Sequence, residues 1–557
     1  YSKPEDSDPA YTLDCEEPLN PPDRQDNTMN HSKITTSIVG FALAGLTLAG
    51  CGSSDLTATG SSASSVNSSS STSSSTATTV DYTQYADVLS DNKESHADSN
   101  DADYDASKAT TITLADDDVT ISEPGTYILS GTLTDHSVTI DSSADGKVKL
   151  VLDNVTMTSS VNSPIIVTAA DEVVIILADG STNTVTDTSA HSAAESDSDA
   201  PNAAIFSMDD LTIGGNGALT VTSTASGVDG IASKDGLVIL AGDITVDAAD
   251  DGIRGKDYLI VEGGTISVKS AQDGLKSTNE DDDTVGYVYV SGGTVTIDAG
   301  DDGAHAEGDL LVSGGNLTIT NSYEGLEGAN IVIAGGVVDV TSSDDGLNAT
   351  QGTSNDSAQP ADQAGDTGPA QGGAMPQGGP MADGQAQGGM AGGMGESSDG
   401  SQLIITGGEI TVNAEGDGID SNGTVTMSGG TAIVHGPTKS GNGALDTTSF
   451  DISGGTLIAA GSTGMVVTPT TTSAQGWVSV NQTLTSGQTV ELLDGDTVLA
   501  TFTAVKDAGN IVISVPGIVS GSSYTVRVDD SDAGSVTADQ ASAGGGMGRA
   551  GDQSWQR

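Results

Sequence analysis

Residues 226–248 read SGVDGIASKDGLVILAGDITVDA, and residues 249–270 continue as ADDGIRGKDYLIVEGGTISVKS. Three more copies of the phrase carry the chain to position 342, and a sixth, SSDDGLNAT, opens at 342–350. Each copy has an acid followed by glycine, a short apolar strand, a glycine turn and a second strand. The acid-glycine pair falls at Asp229, Asp251, Asp273, Asp302, Glu324 and Asp345, in steps of 22, 22, 29, 22 and 21 residues. The long step carries an insertion at 279–284. A fixed period of this size without a helical pattern is the mark of a solenoid. Within each period the strands alternate apolar and polar residues, so one side of each is expected to face a core and the other water. About 22 residues at roughly 3.3 Å each make a contour near 70 Å, one turn of a three-sided coil. The expected fold is all-β, a right-handed parallel β-helix of about 22 residues per coil. Coils stack about 4.8 Å apart, so equivalent residues form columns along the axis.

The composition agrees with a polar, cation-attracting surface. Among 557 residues there are 78 Asp and Glu against 17 Lys and Arg, a formal net charge of −61, and aromatic residues make up 3%. Nucleic acid is not expected as a partner, because phosphate binding needs a basic face. The length allows two or three domains.

Along the chain, residues 1–28 are polar and are expected to be an extension of the gene model, Cys15 included. Residues 29–50 have the order of a signal peptide: a weakly basic start at Lys33, then an apolar run from Ile34. The run ends in Leu48-Ala49-Gly50-Cys51, which resembles a bacterial lipobox with Cys51 as the lipidated residue. An uncleaved anchor is the alternative, but the run is short of the ~20 residues needed to span a bilayer. The expected location is therefore outside the cytoplasm, lipid-anchored to the bacterial cell membrane. No disulfide is expected. Residues 51–107 form a Ser/Thr-rich tether and lead-in, with Tyr82, Tyr85, Val88 and Leu89 read as a cap on the solenoid. The β-helix is expected over 108–349 and again over 402–474. A Gly/Gln/Met-rich insertion at 350–401 should loop out between two coils. Residues 475–540 lose the period and read as a small antiparallel β cap, and 541–557 as a disordered tail.

The acid-glycine column carries the functional expectation. Two carboxylates about 5 Å apart repel by roughly 3 kcal/mol at an effective dielectric near 20, so protons or cations must relieve them. Ca²⁺ takes six to eight oxygen ligands. The expected ligands are Asp229, Asp250, Asp251, Asp273, Asp301, Asp302, Glu324, Asp344 and Asp345. On the competing reading the pair only makes a corner, with Asp capping a turn and Gly at positive φ. The doublets Asp250-Asp251, Asp301-Asp302 and Asp344-Asp345 favour calcium, because a corner needs one acid. His305, lone on a polar coil, reads as surface.

Other phrases resemble a known bacterial family of carbohydrate-binding-domain-containing proteins. They are Gly125-Thr126-Tyr127-Ile128-Leu129-Ser130-Gly131, Leu152-Asp153-Asn154-Val155, Leu177-Ala178-Asp179-Gly180-Ser181-Thr182-Asn183 and Asp210-Leu211-Thr212-Ile213-Gly214-Gly215-Asn216-Gly217. The Asp-Gly coils and Asp344-Asp345-Gly346-Leu347-Asn348-Ala349 before the insertion complete the likeness, which spans about 112–468. The resemblance implies a secreted or lipid-anchored β-helix similar to pectate lyases, with calcium sites and binding to acidic or cellulosic polysaccharide. Pectate lyases of this type use a basic residue, for which Lys234, Lys256 and Lys276 are the candidates. A carboxylate-rich field should raise their pKa and oppose that role, so ion pairs within the column are the expected use. Sugar stacking needs aromatic faces, and Tyr258, Tyr287, Tyr289 and Tyr323 are the candidates.

The combined expectation is a cell-surface lipoprotein, a monomer, that binds a polygalacturonate-like polysaccharide through a calcium-loaded column. A calcium-dependent lyase on the same fold is one alternative, and would release unsaturated uronate ends. A surface spacer or adhesin without sugar specificity is the other, and would show no glycan preference with or without chelator.

Overall fold

The computed structural model describes residues 95–191, 199–282, 284–351 and 398–540. Cys51, the signal peptide, Tyr82, Tyr85, Val88, Leu89, most of the Gly-rich insertion and the C-terminal tail lie outside the described residues. The expected solenoid is present as stacked parallel coils of about 11 turns. One coil shows how the phrase folds. Asp229–Ser233 forms the first face, Gly236–Ile239 the second and Asp243–Ala248 the third. Each pairs in parallel with its counterpart in the next coil, Ile253–Gly255, Tyr258–Val261 and Thr265–Ser270. Ile231, Leu237, Ile239 and Ile244 point inward and are fully buried. Burial of each such side chain contributes roughly 1.5–3 kcal/mol, and that apolar column offsets the repulsion between acids at the corners.

Glycine serves two different needs. In the turn before the third face, Gly293 has φ of 81°, which side chains rarely adopt. The glycines of the acid-glycine pairs are not at positive φ, contrary to the corner reading. They are needed for close approach: a Cβ on Gly252 would collide with Val268 Cγ1 and lie 2.6 Å from Gly274 O.

The third face follows the expected alternation, with Asp243–Ala248 exposed and buried in turn. The second face does not. Gly236–Ile239 and Tyr258–Val261 are buried on both sides. Residues 95–103 lie along the outside of this face rather than across the end of the solenoid. Ala97 packs with Val238, Tyr258, Ile260 and Tyr287. Lys147 Nζ holds this segment at Asp101 Oδ2, 2.7 Å away, and reaches Glu172 Oε2 at 2.6 Å. Lys149 Nζ donates to the carbonyls of Asp101 and Asp103 at 2.7 and 2.9 Å. The physical reason is that the outer row of this face is itself apolar and must be covered.

The stack continues across the insertion. Leu347–Ala349 pairs with Leu326 to Gly328 below and Ile419 to Ser421 above, and Gln402–Ile405 resumes the second face against Asn330 to Ile333. At the other end the period stops at Thr456–Gly461. The edge of that strand is paired antiparallel by Ala508–Ser514, which also pairs Val478–Leu484. A separate four-stranded antiparallel sheet follows, built from Thr489–Asp494, Thr497–Thr503, Ser523–Val528 and Ser531–Thr537. Covering the last edge removes a template for further strand addition.

Candidate functional site

From Asp229 to Asp417, each first-face strand begins at its acid or just after the acid-glycine pair, and the register stacks these acids in one column. Part of five of these carboxylates is used by the corner. Asp229 Oδ1 accepts the N–H of Asp251 at 3.3 Å, Asp251 Oδ1 that of Asp273 at 3.2 Å, and Asp273 Oδ1 that of Asp302 at 2.8 Å. Asp345 Oδ1 accepts from Asp417 N and Asp417 Oδ1 from Gly443 N. The glycine N–H groups bond the carbonyl of the next acid, Gly252 to Asp273 and Gly346 to Asp417, both at 2.8 Å. One oxygen of these carboxylates is therefore held by the backbone of the next coil and does not cap its own turn. The second oxygen is available for other chemistry.

What that oxygen meets is set by the residue three places further on. These residues form a parallel column of their own: Ala232, Arg254, Lys276, His305, Glu327, Asn348, Asp420 and Asp446. In the N-terminal half the column is basic. Arg254 pairs with Asp229 and lies 3.7 Å from Asp251. Lys276 Nζ is 2.7 Å from Asp273 Oδ2 and 3.8 Å from Asp251 Oδ1. His305 is buried, not on the surface, with Nδ1 3.1 Å from Asp302 Oδ2 and 2.7 Å from Glu327 Oε2. Burial opposes its charge, but hydrogen bonds to Asp302, Glu307 and Glu327 hold its pKa well above the usual histidine value.

In the C-terminal half the column changes sign. The rungs read Glu324-Gly-Leu-Glu327, Asp345-Gly-Leu-Asn348 and Asp417-Gly-Ile-Asp420, with no basic residue. Ligand oxygens of Asp345, Asp417 and Asp420 lie within 4.8 Å of one another, as do those of Asp302, Glu324 and Glu327. Burial, then Glu327 and Asp302, pushes Glu324 up to about 9. Burial, then the neighbouring Asp420, Asp344 and Asp417, pushes Asp345 up to about 8. Asp417 is pushed up to about 6, again first by burial. The group of Asp302, Glu324 and Glu327 still meets His305 through Glu327 and Asp302, whereas that of Asp345, Asp417 and Asp420 is built from three carboxylates.

The oxygens present fit a hard cation. A Cβ on Gly416 would collide with both Asp344 Oδ1 and Asp345 Oδ1, so the missing side chain leaves the space where these carboxylates meet. The buried Asn348 Oδ1 has no hydrogen-bond partner among the described residues, while its Nδ2 donates to Glu324 Oε2 at 2.7 Å. An all-oxygen set of carboxylates and an amide carbonyl suits Ca²⁺. Asp273, Asp302 and His305 also come together, but there the imidazole is held by carboxylates.

The sequence-level candidates thus separate. Asp345 and Asp302 with Glu324 enter the converging groups. Asp229, Asp251 and Asp273 face the basic column, although Asp273 also reaches Asp302 and His305. Asp250 stands outside all of these groups, pushed up to about 6 by burial and then by Asp229. Asp301 is likewise in none of them, and Asp344 contributes beside Gly416. Asp417, Asp420 and Glu327 stand in the converging groups and Asn348 beside them, although none was a sequence-level candidate. The signal for them is the residue three after each acid, read as a column.

Among the lysines, Lys276 makes the expected ion pairs. Lys234 differs: its Nζ lies 5.9 Å from the centroid of the Phe206 ring, and burial, then Arg254, lowers its pKa instead of raising it. Lys256 makes no ion pair among the described residues. Of the tyrosines, Tyr258 and Tyr287 are 4% and 3% exposed and stack on each other at 5.3 Å, so neither offers a free face to a sugar. Tyr289 packs against Leu311 and Val332. Tyr323 is 48% exposed, and its hydrogen bond to Asp344 comes first among the causes that raise its pKa. One open aromatic ring therefore stands beside the C-terminal acids.

Fold and site together define an acidic parallel β-helix with a corner where carboxylates converge. The family model described as "Carbohydrate-binding domain-containing protein" matches residues 115–368. The resemblance read from the sequence holds over that span, which includes Asp345 and ends before Asp417. A protein of the same description from Acetivibrio thermocellus is 36% identical over 163 residues, 29% of this chain and 53% of the relative. The chain thus spans about half the length of that relative. A solved structure described as the polysaccharide lyase-like protein from C. thermocellum, gadolinium derivative, is 29% identical. It covers 42% of this chain and 94% of its own, with a TM-score of 0.36.

Proposed function

We propose that the protein binds acidic polysaccharide at the cell surface, with calcium at the C-terminal acids as the bridge. The observation that carries this is the convergence of Asp345, Asp417 and Asp420 on rungs that contain no basic residue. The match to a carbohydrate-binding family supports a glycan as the ligand class. Asp345, Asp417 and Asp420 would hold the ion, with Asp344 and the Asn348 carbonyl beside them. Bound calcium supplies coordination positions that sugar carboxylates can take. Tyr323 offers an apolar ring face to the pyranose. Both protein and polyuronate are anionic, so direct contact at this corner is repulsive without the cation. Calcium titration by calorimetry should show binding, and retention on polygalacturonate should fall in EGTA while a neutral glucan is indifferent. Stability and retention both unchanged by EGTA would leave the column as corners only.

Anchoring is part of the same reading and rests on Leu48-Ala49-Gly50-Cys51. Mass spectrometry of the membrane fraction should find a lipidated N-terminus at Cys51, and Cys51→Ser should release the protein. A wild-type protein recovered only in unlipidated soluble form overturns it.

A further inference from the structure

The geometry points to a second glycan contact: the groove lined by Lys234, Arg254 and Lys256 binds the carboxylate of an acidic sugar directly, without a metal. The groove has a volume of about 310 Å³ and is completed by Asp199, Met208 and Thr278. That is at the small end of ligand clefts, roughly 300–1,000 Å³, and suits one or two sugar units.

Three cationic side chains share this groove in a chain of net charge −61. With acids in such excess, pairing each base with a carboxylate would be easy. Arg254 is paired, through Nε and Nη2 to Asp229 Oδ2, and Nη1 takes no part in those contacts. Neither Lys234 nor Lys256 forms an ion pair among the described residues, although both are partly buried. The two lysines occupy the same position in successive coils, because Ser233 and Gly255 are register partners. Coil stacking places them about 4.8 Å apart along the axis, so both lysines line the one groove. Burial, then Arg254, lowers the pKa of Lys234 although Asp229 and Asp199 oppose the shift, so a ligand carboxylate would add to what those two acids supply. Asp199 on the rim contributes the one negative charge of the lining. Met208 supplies an apolar surface for the C–H face of a ring, and Thr278 a hydroxyl. Guanidinium and ammonium donors form charge-assisted bonds to carboxylates, the strong class of hydrogen bond.

The groove lies on the N-terminal side of the calcium corner, in coils whose acid column is already balanced by Arg254 and Lys276. It rests on the proposed function only for the identity of the sugar. The test uses the full chain with oligogalacturonate, in EGTA and in calcium. Wild-type protein should keep measurable binding in EGTA at low salt, weakening as salt is added. The double variant K234Q/K256Q should lose at least about tenfold of that EGTA-resistant affinity, while K234R/K256R retains it. Calcium affinity should be unchanged in both. The proposal is overturned if folded K234Q/K256Q binds oligogalacturonate in EGTA as wild type does. It is equally overturned if wild type shows no EGTA-resistant binding. Either result leaves the calcium corner intact, and loss of the calcium effect on stability would leave this groove intact.

Discussion

Replacing Asp417 with Asn is expected to weaken calcium binding by at least about tenfold, or 1.4 kcal/mol, with Asp420→Asn and Asp345→Asn in the same range. Asp251→Asn should leave calcium affinity within about twofold. This order reverses what the acid doublets alone imply, since Asp251 follows Asp250 and Asp417 follows Gly416. The reason is geometric. Asp251 sits between Arg254 and Lys276, at 3.7 and 3.8 Å, and its rung already contains cations. Asp417 converges with Asp345 and Asp420, and Gly416 leaves room for the carboxylates of the rung below. Losing a carboxylate there removes a charged oxygen ligand from an ion that selects for them. Calorimetric titration of the four variants measures the order. A larger loss from Asp251→Asn than from Asp417→Asn would sink the assignment.

The calcium-free protein is expected to lose stability as pH rises from about 5 to 9. Glu324 and Asp345 hold protons in the folded state up to about 9 and about 8. In the unfolded chain they release them near the ordinary value of about 4. Between those limits the folded state binds more protons than the unfolded state, so stability falls with rising pH. The contribution is fully present below about pH 4 and is gone above about 9. Each pH unit across this window costs about 1.4 kcal/mol for each group forced to ionise. The expected total is at least a few kcal/mol, a fall of several degrees in Tm. Calcium replaces the protons and should flatten the slope, so the gap in Tm between calcium and EGTA should widen toward pH 9. Thermal unfolding at pH 5, 7 and 9 in both conditions is the measurement. A gap that is constant with pH would show that ion and protons do not compete for the same carboxylates.

The solenoid was legible in the sequence because its determinants are local and repeated. The steps between Asp229, Asp251 and Asp273 set the coil length, the Val and Ile pattern made the strands, and the loss of period after position 475 marked the cap. The carboxylate column was legible for the same reason. What the carboxylates do was not. Asp345 meets Asp417 across 72 residues and a long insertion, and only strand register makes Asp420 the neighbour of Asn348. Whether a corner is balanced or open depends on the residue three places on, and its effect depends on burial, which raises the electrostatic stakes of every unpaired group. The covering of the second face is of the same kind. Nothing local in residues 95–103 says that Ala97 lies on Tyr258 and Tyr287, or that Lys147 holds Asp101. Local repetition determined the columns of this protein, and tertiary register decided which of them balance one another and which converge.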